Sequence, residues 1–325
     1  MSGKRISICM ASYNGARFIR QQLESLANQI RRPDELVICD DRSTDDTAQI
    51  VQRFANTATF PIRLYVNDQT LGVRLNFEKA IELSTGDIIF LCDQDDIWDD
   101  SKLARFEQVF ADAPAVGLAF CDANVVDETA TPLGYTFWQR LGFNETQQAE
   151  FDHGHAFDVF LRHCFVAGAT LAFRSALRPV LLPLGEKWHY DAWIATVLSA
   201  LAETRLVRQP MNQYRQHATQ TIGGGRRKGF WQTYLDARRK VDAAFFAARA
   251  AEFEELRNRL LGAAAMQSDN RIIRRIGSKI ALCLARAKMR QNPWLRWPLV
   301  ARELLAGQYH QYAHGWRTAV LDLFV

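Results

Sequence analysis

No stretch of this 325-residue chain reaches the ~18 consecutive apolar residues that a membrane-spanning helix needs. Nor does a secretory leader open it. Lys4-Arg5 is followed by only a short apolar run, which points to a cytoplasmic protein. The six cysteines (Cys9, Cys39, Cys92, Cys121, Cys164 and Cys283) are scattered, mostly inside apolar runs. They lack the Cys-x-x-Cys spacing of a metal site and the pattern of a disulfide framework, so they read as buried thiols in a reducing compartment. Two phosphate-binding signatures are also missing. Ala11-Ser12-Tyr13-Asn14-Gly15 stands where a G-x-G-x-x-G turn would follow the first strand, and no G-x-x-x-x-G-K-[ST] loop occurs. A phosphate-bearing ligand must therefore be held by a metal and by side chains. Acidic residues thin out towards one end. Residues 1–225 carry 21 Lys+Arg and 28 Asp+Glu, a net −7, whereas residues 226–325 carry 19 and 8, a net +11. No nucleic-acid-binding motif accompanies that positive charge, so nucleic acid is not the expected partner.

With 48% apolar residues, the chain is globular and long enough for one large domain plus an appendage. The division falls near Gly223-Gly224-Gly225, a flexible joint between a catalytic domain over 1–222 and a basic helical region over 226–325. The most informative stretch is Ile88-Ile89-Phe90-Leu91-Cys92-Asp93-Gln94-Asp95-Asp96-Ile97-Trp98. Five apolar residues predict a strand buried on both faces, and the acids then fall at its carboxyl end, where open α/β sheets hold ligands. Two acids one residue apart can reach a divalent cation, and oxygen ligation favours Mg²⁺ or Mn²⁺. The plainer alternative is an acidic loop that caps the next helix.

Further strands are predicted over 6–11, 35–39 and 62–66, with helices from Asn14 to about Asn28, from Ser43-Thr44-Asp45-Asp46 onward, and over 73–84. Asn14 is placed to cap the first helix, and Ser43 with Asp46 to form a capping box on the second. This alternation predicts a mostly parallel sheet with helices on both faces. A helix over 101–113 and a strand over 116–121 come next. Residues 129–150 show no period, as functional or mobile segments often do. A helix over 156–163, a strand over 165–173 containing Gly168, a helix from about Trp188 to Ala202 and a strand over 205–209 complete this part.

Four motifs in this order, Ala11-Ser12-Tyr13-Asn14, Asp40-Asp41-x-Ser43-x-Asp45, Asn67 with Gly72, and Asp93-Gln94-Asp95-Asp96-x-Trp98, resemble the family 2 inverting glycosyltransferases. The last motif looks like the rhamnosyltransferase-containing branch that builds cell-surface polysaccharide. The resemblance covers roughly residues 4–220 and implies a GT-A fold, an α/β nucleotide-diphospho-sugar transferase fold. It also implies roles. Tyr13 and Asp41 match positions that hold the nucleotide base, with Ala11 against it and Arg74 and Asn76 near the nucleotide. Asp93 matches the acid near the ribose, with Gln94 beside it on the donor side, and Asp95 matches the metal ligand on the diphosphate. Asp191 matches the general base, although relatives often carry Glu-Asp where this chain has Tyr190-Asp191. Tyr214-Arg215-x-His217 resembles a closing motif whose His approaches the metal, while Arg215 either meets phosphate or braces the fold. Trp98, Gly168, Trp188, His189 and Tyr190 fall on the acceptor side. There, Trp188, Tyr190 and Trp193 either wall a sugar ring or lie in the core, and Gly168 either admits the acceptor or only packs tightly. Asp41 and Asp191 each carry the alternative of a helix cap.

The expected activity is metal-dependent transfer of a sugar, rhamnose being one candidate, from a dTDP- or UDP-linked donor to a cell-surface glycan, with a lipid-linked acceptor. A non-catalytic sugar-nucleotide-binding scaffold and a nucleotidyltransferase remain as alternatives. The latter lacks its glycine-rich basic loop, and an Asp-x-Asp phosphatase fits poorly because neither Thr nor Val follows Asp95 at the required spacing. In the tail, Ile272, Ile273, Ile276, Ile280 and Leu284 alternate with Arg271, Arg274, Arg275, Lys279 and Arg286. This pattern suits an anionic membrane surface on the inner face of the plasma membrane, with Trp294, Trp297 and Trp316 at headgroup level. The alternative is a helical bundle or a homo-oligomer interface.

Overall fold

The computed structural model describes residues 3–217, 241–263 and 270–324. Strands β1 (Ile6–Ser12), β2 (Glu35–Asp40), β3 (Ile62–Val66) and β4 (Ile88–Asp93) alternate with helices α1 (Ile19–Ala27), α2 (Thr47–Ala55) and α3 (Val73–Leu83). β1 pairs in parallel with both β2 and β4, and β2 with β3. Order therefore reverses at β1, and the ends of β1, β2 and β4 open on a common crevice. One sheet face buries Ile6, Ile8, Met10, Leu36, Ile38, Ile88 and Phe90 against Leu23 and Leu26 of α1 and Val51 of α2. On the other face the Cys9 thiol donates to the Ala80 carbonyl of α3, and burial pushes its pKa up to about 12. The expected buried thiols are thus present at Cys9, Cys39, Cys92, Cys121 and Cys283.

Beyond β4 come β5 (Ile97–Trp98), α4 (Lys102–Asp112), β6 (Val116–Val126), β7 (Pro132–Thr136), α5 (Phe137–Leu141), α6 (Glu145–Asp152), α7 (Ala156–Arg162), β8 (Leu171–Arg174), α8 (Arg178–Leu181), α9 (Tyr190–Ser199) and β9 (Glu203–Arg215). The sheet order is β3-β2-β1-β4-β8-β6-β9-β5, with β7 on β6. β8 is antiparallel to β4 and β6, while β9 is parallel to β6. The sheet is therefore mixed: it is parallel over β3-β2-β1-β4, where helical crossovers enforce it, and beyond β4 all pairings are antiparallel except β6 with β9.

Several local expectations are corrected. Asn14 does not cap α1. It takes a left-handed conformation (φ 48°), and its side chain accepts from the Thr44 N–H instead. Ser43 forms no capping box, because its hydroxyl donates to Asp40. Residues 129–150 are not irregular. They hold β7, α5 and α6, whose first turns are closed by reciprocal capping boxes, Thr136 with Gln139 and Asn144 with Gln147. Elements this short carry no readable period. Phe120, Trp138, Phe143, Phe151 and Phe165 pack around them as one aromatic cluster. Of the strand expected over 165–173, only the end forms, since Gly168–Thr170 is a 3₁₀ turn.

The described residues form two compact units. One takes in all the strands. The other gathers residues 155–164 and 185–188 with the chain from 241 onward. In this second unit α7 joins α10 (Ala243–Gly262), α11 (Asn270–Gln291), α12 (Arg296–Leu305), α13 (Gln308–Tyr312) and α14 (Trp316–Phe324). Gly223-Gly224-Gly225 and residues 226–240 lie outside the described residues. The apolar stripe of α11 is only partly exposed, with Leu284 in solvent and Ile272 and Ile273 half-buried. Ile276 and Ile280 are buried and α11 packs along α10, so the helical-bundle alternative holds for this helix.

A buried charge cluster ties the second unit together. The Asp322 carboxylate of α14 accepts from Arg286 Nε (2.7 Å) and Arg290 Nη2 (2.9 Å) of α11 and from the Tyr309 hydroxyl (2.8 Å) of α13. Removing one partner of a buried pair strands the others. Asp322→Asn is expected to cost about 3–5 kcal/mol in a denaturant titration. A loss under about 1 kcal/mol, the range of an exposed pair, would show that the cluster is solvated.

Candidate active site

The β1, β2 and β4 ends are laced together by their own motifs. Asp40, fully buried, accepts from the Ser12 hydroxyl (2.7 Å) and from the Ser43 N–H (2.8 Å). Ser43 Oγ in turn accepts from the Asn14 N–H (2.8 Å), and Asp45 from the Ala16 N–H (3.0 Å). Gln94 braces the same turn from β4: Nε2 donates to the Tyr13 carbonyl (2.9 Å) and Oε1 accepts from the Tyr13 N–H (3.0 Å). Gly15 has to be glycine here, since a Cβ would sit 2.0 Å from that oxygen. With its backbone held in this way, Tyr13 is 52% exposed.

A second set holds the loop before α3. Asp41 accepts from Asn67 Nδ2 (3.0 Å) and from the N–H groups of Leu71 (2.7 Å) and Gly72 (2.8 Å). Asn76 is buried and donates to the Cys39 carbonyl (2.6 Å), while Arg74 donates to the Leu184 carbonyl (2.9 Å). The polar atoms of Asp41, Arg74, Asn76 and Gln94 are thus engaged in bracing the loops.

The acids gather as the β4 end requires. Asp93 closes β4 opposite Ala11 of β1. Burial, then repulsion from Asp95 and Asp191, push its pKa up to about 7, against the pull of the Tyr190 hydroxyl, which donates to it at 3.3 Å. Burial and the same crowding push Asp96 well up. Asp95 Oδ2 lies 2.7 Å from His217 Nε2, so the closing His does reach the acidic motif. Arg215 is buried and braces the fold, donating to the carbonyls of Asp95 (2.7 Å) and Glu128 (2.8 Å) and to Gln21 Oε1 (2.7 Å). Among the described residues no three metal-ligating side chains converge. Even so, a carboxylate and an imidazole face each other beside crowded acids, and Asp96 Oδ2 is buried without a hydrogen-bond partner. This donor set fits Mg²⁺ or Mn²⁺ when phosphate oxygens and water fill the remaining positions.

Asp191 sits in the first turn of α9, half-buried, and accepts from the Ala192 N–H (2.7 Å). Burial raises its pKa, opposed by that N–H and by the neighbouring His189. The Tyr190 ring stacks on Phe77 at 4.3 Å. Gly168 packs tightly against it, since a Cβ there would fall 2.2 Å from the Tyr190 hydroxyl oxygen. The expected aromatic wall does not form. Trp193 is fully buried and donates to the Leu181 carbonyl, and Trp188 donates to the Glu252 carbonyl inside the helical unit. Trp98 is buried too, whereas His189 is exposed at the start of α9.

One residue went unread in the sequence. Lys102, fully buried, donates to the Ala169 carbonyl (2.6 Å) and Asn212 Oδ1 (2.7 Å), with its ammonium 3.5 Å above the Trp98 ring centroid. Burial lowers its pKa to about 8. Its only visible signal was a lysine at the first turn of a helix, a place where the helix dipole disfavours a cation.

The Glycosyl transferase family 2 profile matches residues 7–165, which carry all four motifs up to Trp98. Over this segment, just under half of the chain, the protein matches glycosyltransferase family 2. Asp191 and His217 lie beyond the matched segment. Among relatives, an uncharacterised glycosyltransferase of Nostoc is 24% identical over 66% of this chain and 65% of its own length. The abequosyltransferase RfbV of Salmonella typhimurium is 27% identical over 53% and 51%. The Escherichia coli enzyme WfaP, a UDP-Glc:alpha-D-GlcNAc-diphosphoundecaprenol beta-1,3-glucosyltransferase, is 25% identical over 66% and 78%. The chain spans slightly under two thirds of the first of these, at 65%. The Staphylococcus aureus TarS fragment 1–349, solved with UDP-GlcNAc, superposes with a TM-score of 0.60 at 15% identity, over 98% of this chain and 89% of that one. This likeness shows the GT-A fold for the family 2 chain.

Lys102 supplies positive charge beneath the acids and holds the turn that carries Gly168. Replacing it by Met, of similar length, strips the buried Asn212 Oδ1 of its Lys donor, while the Ala169 carbonyl keeps the Asn212 Nδ2 bond (2.9 Å). Lys102→Met is expected to lose about 1–3 kcal/mol of stability in chemical denaturation. An unchanged midpoint would show that the ammonium bonds add nothing.

Proposed function

We propose that this family 2 glycosyltransferase moves a hexosyl or deoxyhexosyl group, with rhamnosyl as one form, from a UDP- or dTDP-linked donor to a glycan hydroxyl, inverting the anomeric carbon. The observation that carries this reading is the pairing of roles at one crevice. Tyr190, next to Asp191 at the start of α9, donates to Asp93 at 3.3 Å, so a base candidate stands beside the acids of the donor side. The exposed Tyr13 ring offers a stacking face for a pyrimidine. Asp93 is the acceptor for ribose hydroxyls. Asp95 and His217 would hold a divalent cation, which when bound offsets the charge of the departing diphosphate. Asp191 accepts the proton of the acceptor hydroxyl as that oxygen bonds to the anomeric carbon. The bond from that carbon to the diphosphate oxygen breaks, and its electron pair leaves with the nucleoside diphosphate.

A lipid-linked acceptor is supported by WfaP, whose name specifies a diphosphoundecaprenol-linked one. No described helix is long and apolar enough to cross a membrane. On this reading the chain works as a peripheral protein on the inner face of the plasma membrane.

Two measurements test the chemistry. Asp95→Ala is expected to keep the fold, lose the Mn²⁺-dependent part of UDP binding in calorimetry and abolish turnover. Wild-type turnover in Asp95→Ala would remove the acidic motif from the mechanism.

Asp191→Asn keeps shape but loses charge, so nucleotide binding should stay near wild type while transfer falls at least about a hundredfold. The base works only when ionised. Transfer should therefore fade as pH drops through the raised Asp191 pKa, giving an acid limb above that of an ordinary aspartate, and this limb should vanish from the residual rate of Asp191→Asn. Unchanged transfer in Asp191→Asn would move the base elsewhere, His189 being the next candidate. A protein that binds nucleotide but turns over no donor with any acceptor extract would be a scaffold.

A further inference from the structure

Helices α12 and α14 each leave an apolar stripe in solvent. On α12 it is Trp297, Ala301 and Leu305, and on α14 Trp316, Val320 and Phe324. Both follow an i, i+4, i+8 spacing, which lines one helix face. Exposure is 67% at Trp297, 90% at Leu305, and 61% at both Trp316 and Phe324. The other side of each helix is already used, since Val300, Glu303, Ala319 and Asp322 are buried. α12 packs directly against α14, and Trp294, 89% exposed, precedes α12. Large apolar side chains left out in this number mark an interaction face.

Charge identifies the partner. Residues 270–324 carry ten Lys and Arg but only two acids, Glu303 and Asp322. Both acids are buried and paired, Glu303 with Arg302, and Asp322 with Arg286 and Arg290. Lys288, Arg302 and Arg317 are exposed, so this part of the second unit presents cations to solvent with no exposed acid among them. A second copy docking face to face would bring basic surface against basic surface, because a two-fold contact uses the same patch twice. Tryptophans ringed by arginine and lysine are instead the composition found where a bilayer meets water, and anionic headgroups complement the charge.

We propose that the α12–α14 face docks on an anionic phospholipid surface, with Trp294, Trp297, Trp316 and Phe324 entering the headgroup region. This surface differs from the α11 stripe suggested by sequence periodicity, of which the fold buries Ile276 and Ile280. The inference rests on the peripheral-membrane part of the proposed function and not on its chemistry.

The test uses the full chain with vesicles of phosphatidylcholine alone or mixed with phosphatidylglycerol. Flotation should show binding to the mixed vesicles that weakens with salt. Phosphatidylcholine with brominated acyl chains, added to the mixture, should quench part of the tryptophan fluorescence. The triple variant Trp297→Ser, Trp316→Ser, Phe324→Ser removes exposed side chains only. It should bind at least about tenfold more weakly, with unchanged UDP affinity in calorimetry. Equal binding of neutral vesicles, absence of quenching, or full vesicle binding by the triple variant would each overturn the proposal. So would a wild-type oligomer that the triple variant turns into a monomer in sedimentation, which would make the face a contact between copies. Intact UDP binding in those cases leaves the transferase reading standing, and absent UDP binding with normal vesicle binding would sink only that reading.

Discussion

Like charge crowded at the end of one strand constrains the catalytic unit. Asp93, Asp95 and Asp96 leave β4 together, and Asp191 approaches them from α9. Burial first, and then repulsion from Asp95 and Asp191, push the Asp93 pKa up to about 7. The fold answers with positive and donor groups drawn from far along the chain. Lys102 lies beneath, the Arg215 backbone N–H meets Asp96 at 3.1 Å, and His217 meets Asp95. Both Lys102 and Arg215 are buried, which is rare for such residues and explicable only by what they neutralise and hold.

Around that pocket, acids do structural work that resembles ligand binding when read as a motif. Asp40, Asp41 and Asp45 spend their oxygens on hydroxyl and N–H groups of the loops after β1, β2 and β3. The consequence for function is indirect but strong. A crevice made of loops stays open and shaped only if those loops are held, and here each is tied to its neighbour by a carboxylate or an amide. Tyr13 is the visible result, with its backbone clamped on both sides by Gln94 and its ring left to solvent.

The helical unit inverts the usual distribution. Some of its charges go inside, where Asp322 gathers two arginines and a tyrosine and Lys279 donates to the Tyr312 carbonyl. Its tryptophans go outside. Buried pairs of this kind contribute little net stability but penalise other arrangements of the helices. They also bury both acids of residues 270–324, which leaves the exposed apolar faces of α12 and α14 beside positive charge.

Much of this was legible in the sequence. The strands up to β4, the helices between them and the place of the acids follow from apolar runs and from which residues end them, because a strand buried on both faces leaves little ambiguity. The motif order carried the family, and the contact of His217 with the acidic motif was readable from a closing motif. Only the tertiary structure decided how individual side chains are used. Whether Asp41, Asn76, Arg74 and Gln94 meet a ligand or brace a loop depends on partners 9 to 110 residues away, which local pattern does not encode. The same holds for Lys102, whose acceptors lie 67 and 110 residues on, and for Gly168, glycine because Tyr190 packs against it. In the tail, periodicity revealed amphipathic helices, but which face stays wet was set by packing. α11 buries Ile276 and Ile280 but leaves Leu284 in solvent, while α12 and α14, with their inner faces already filled, keep their tryptophans in solvent.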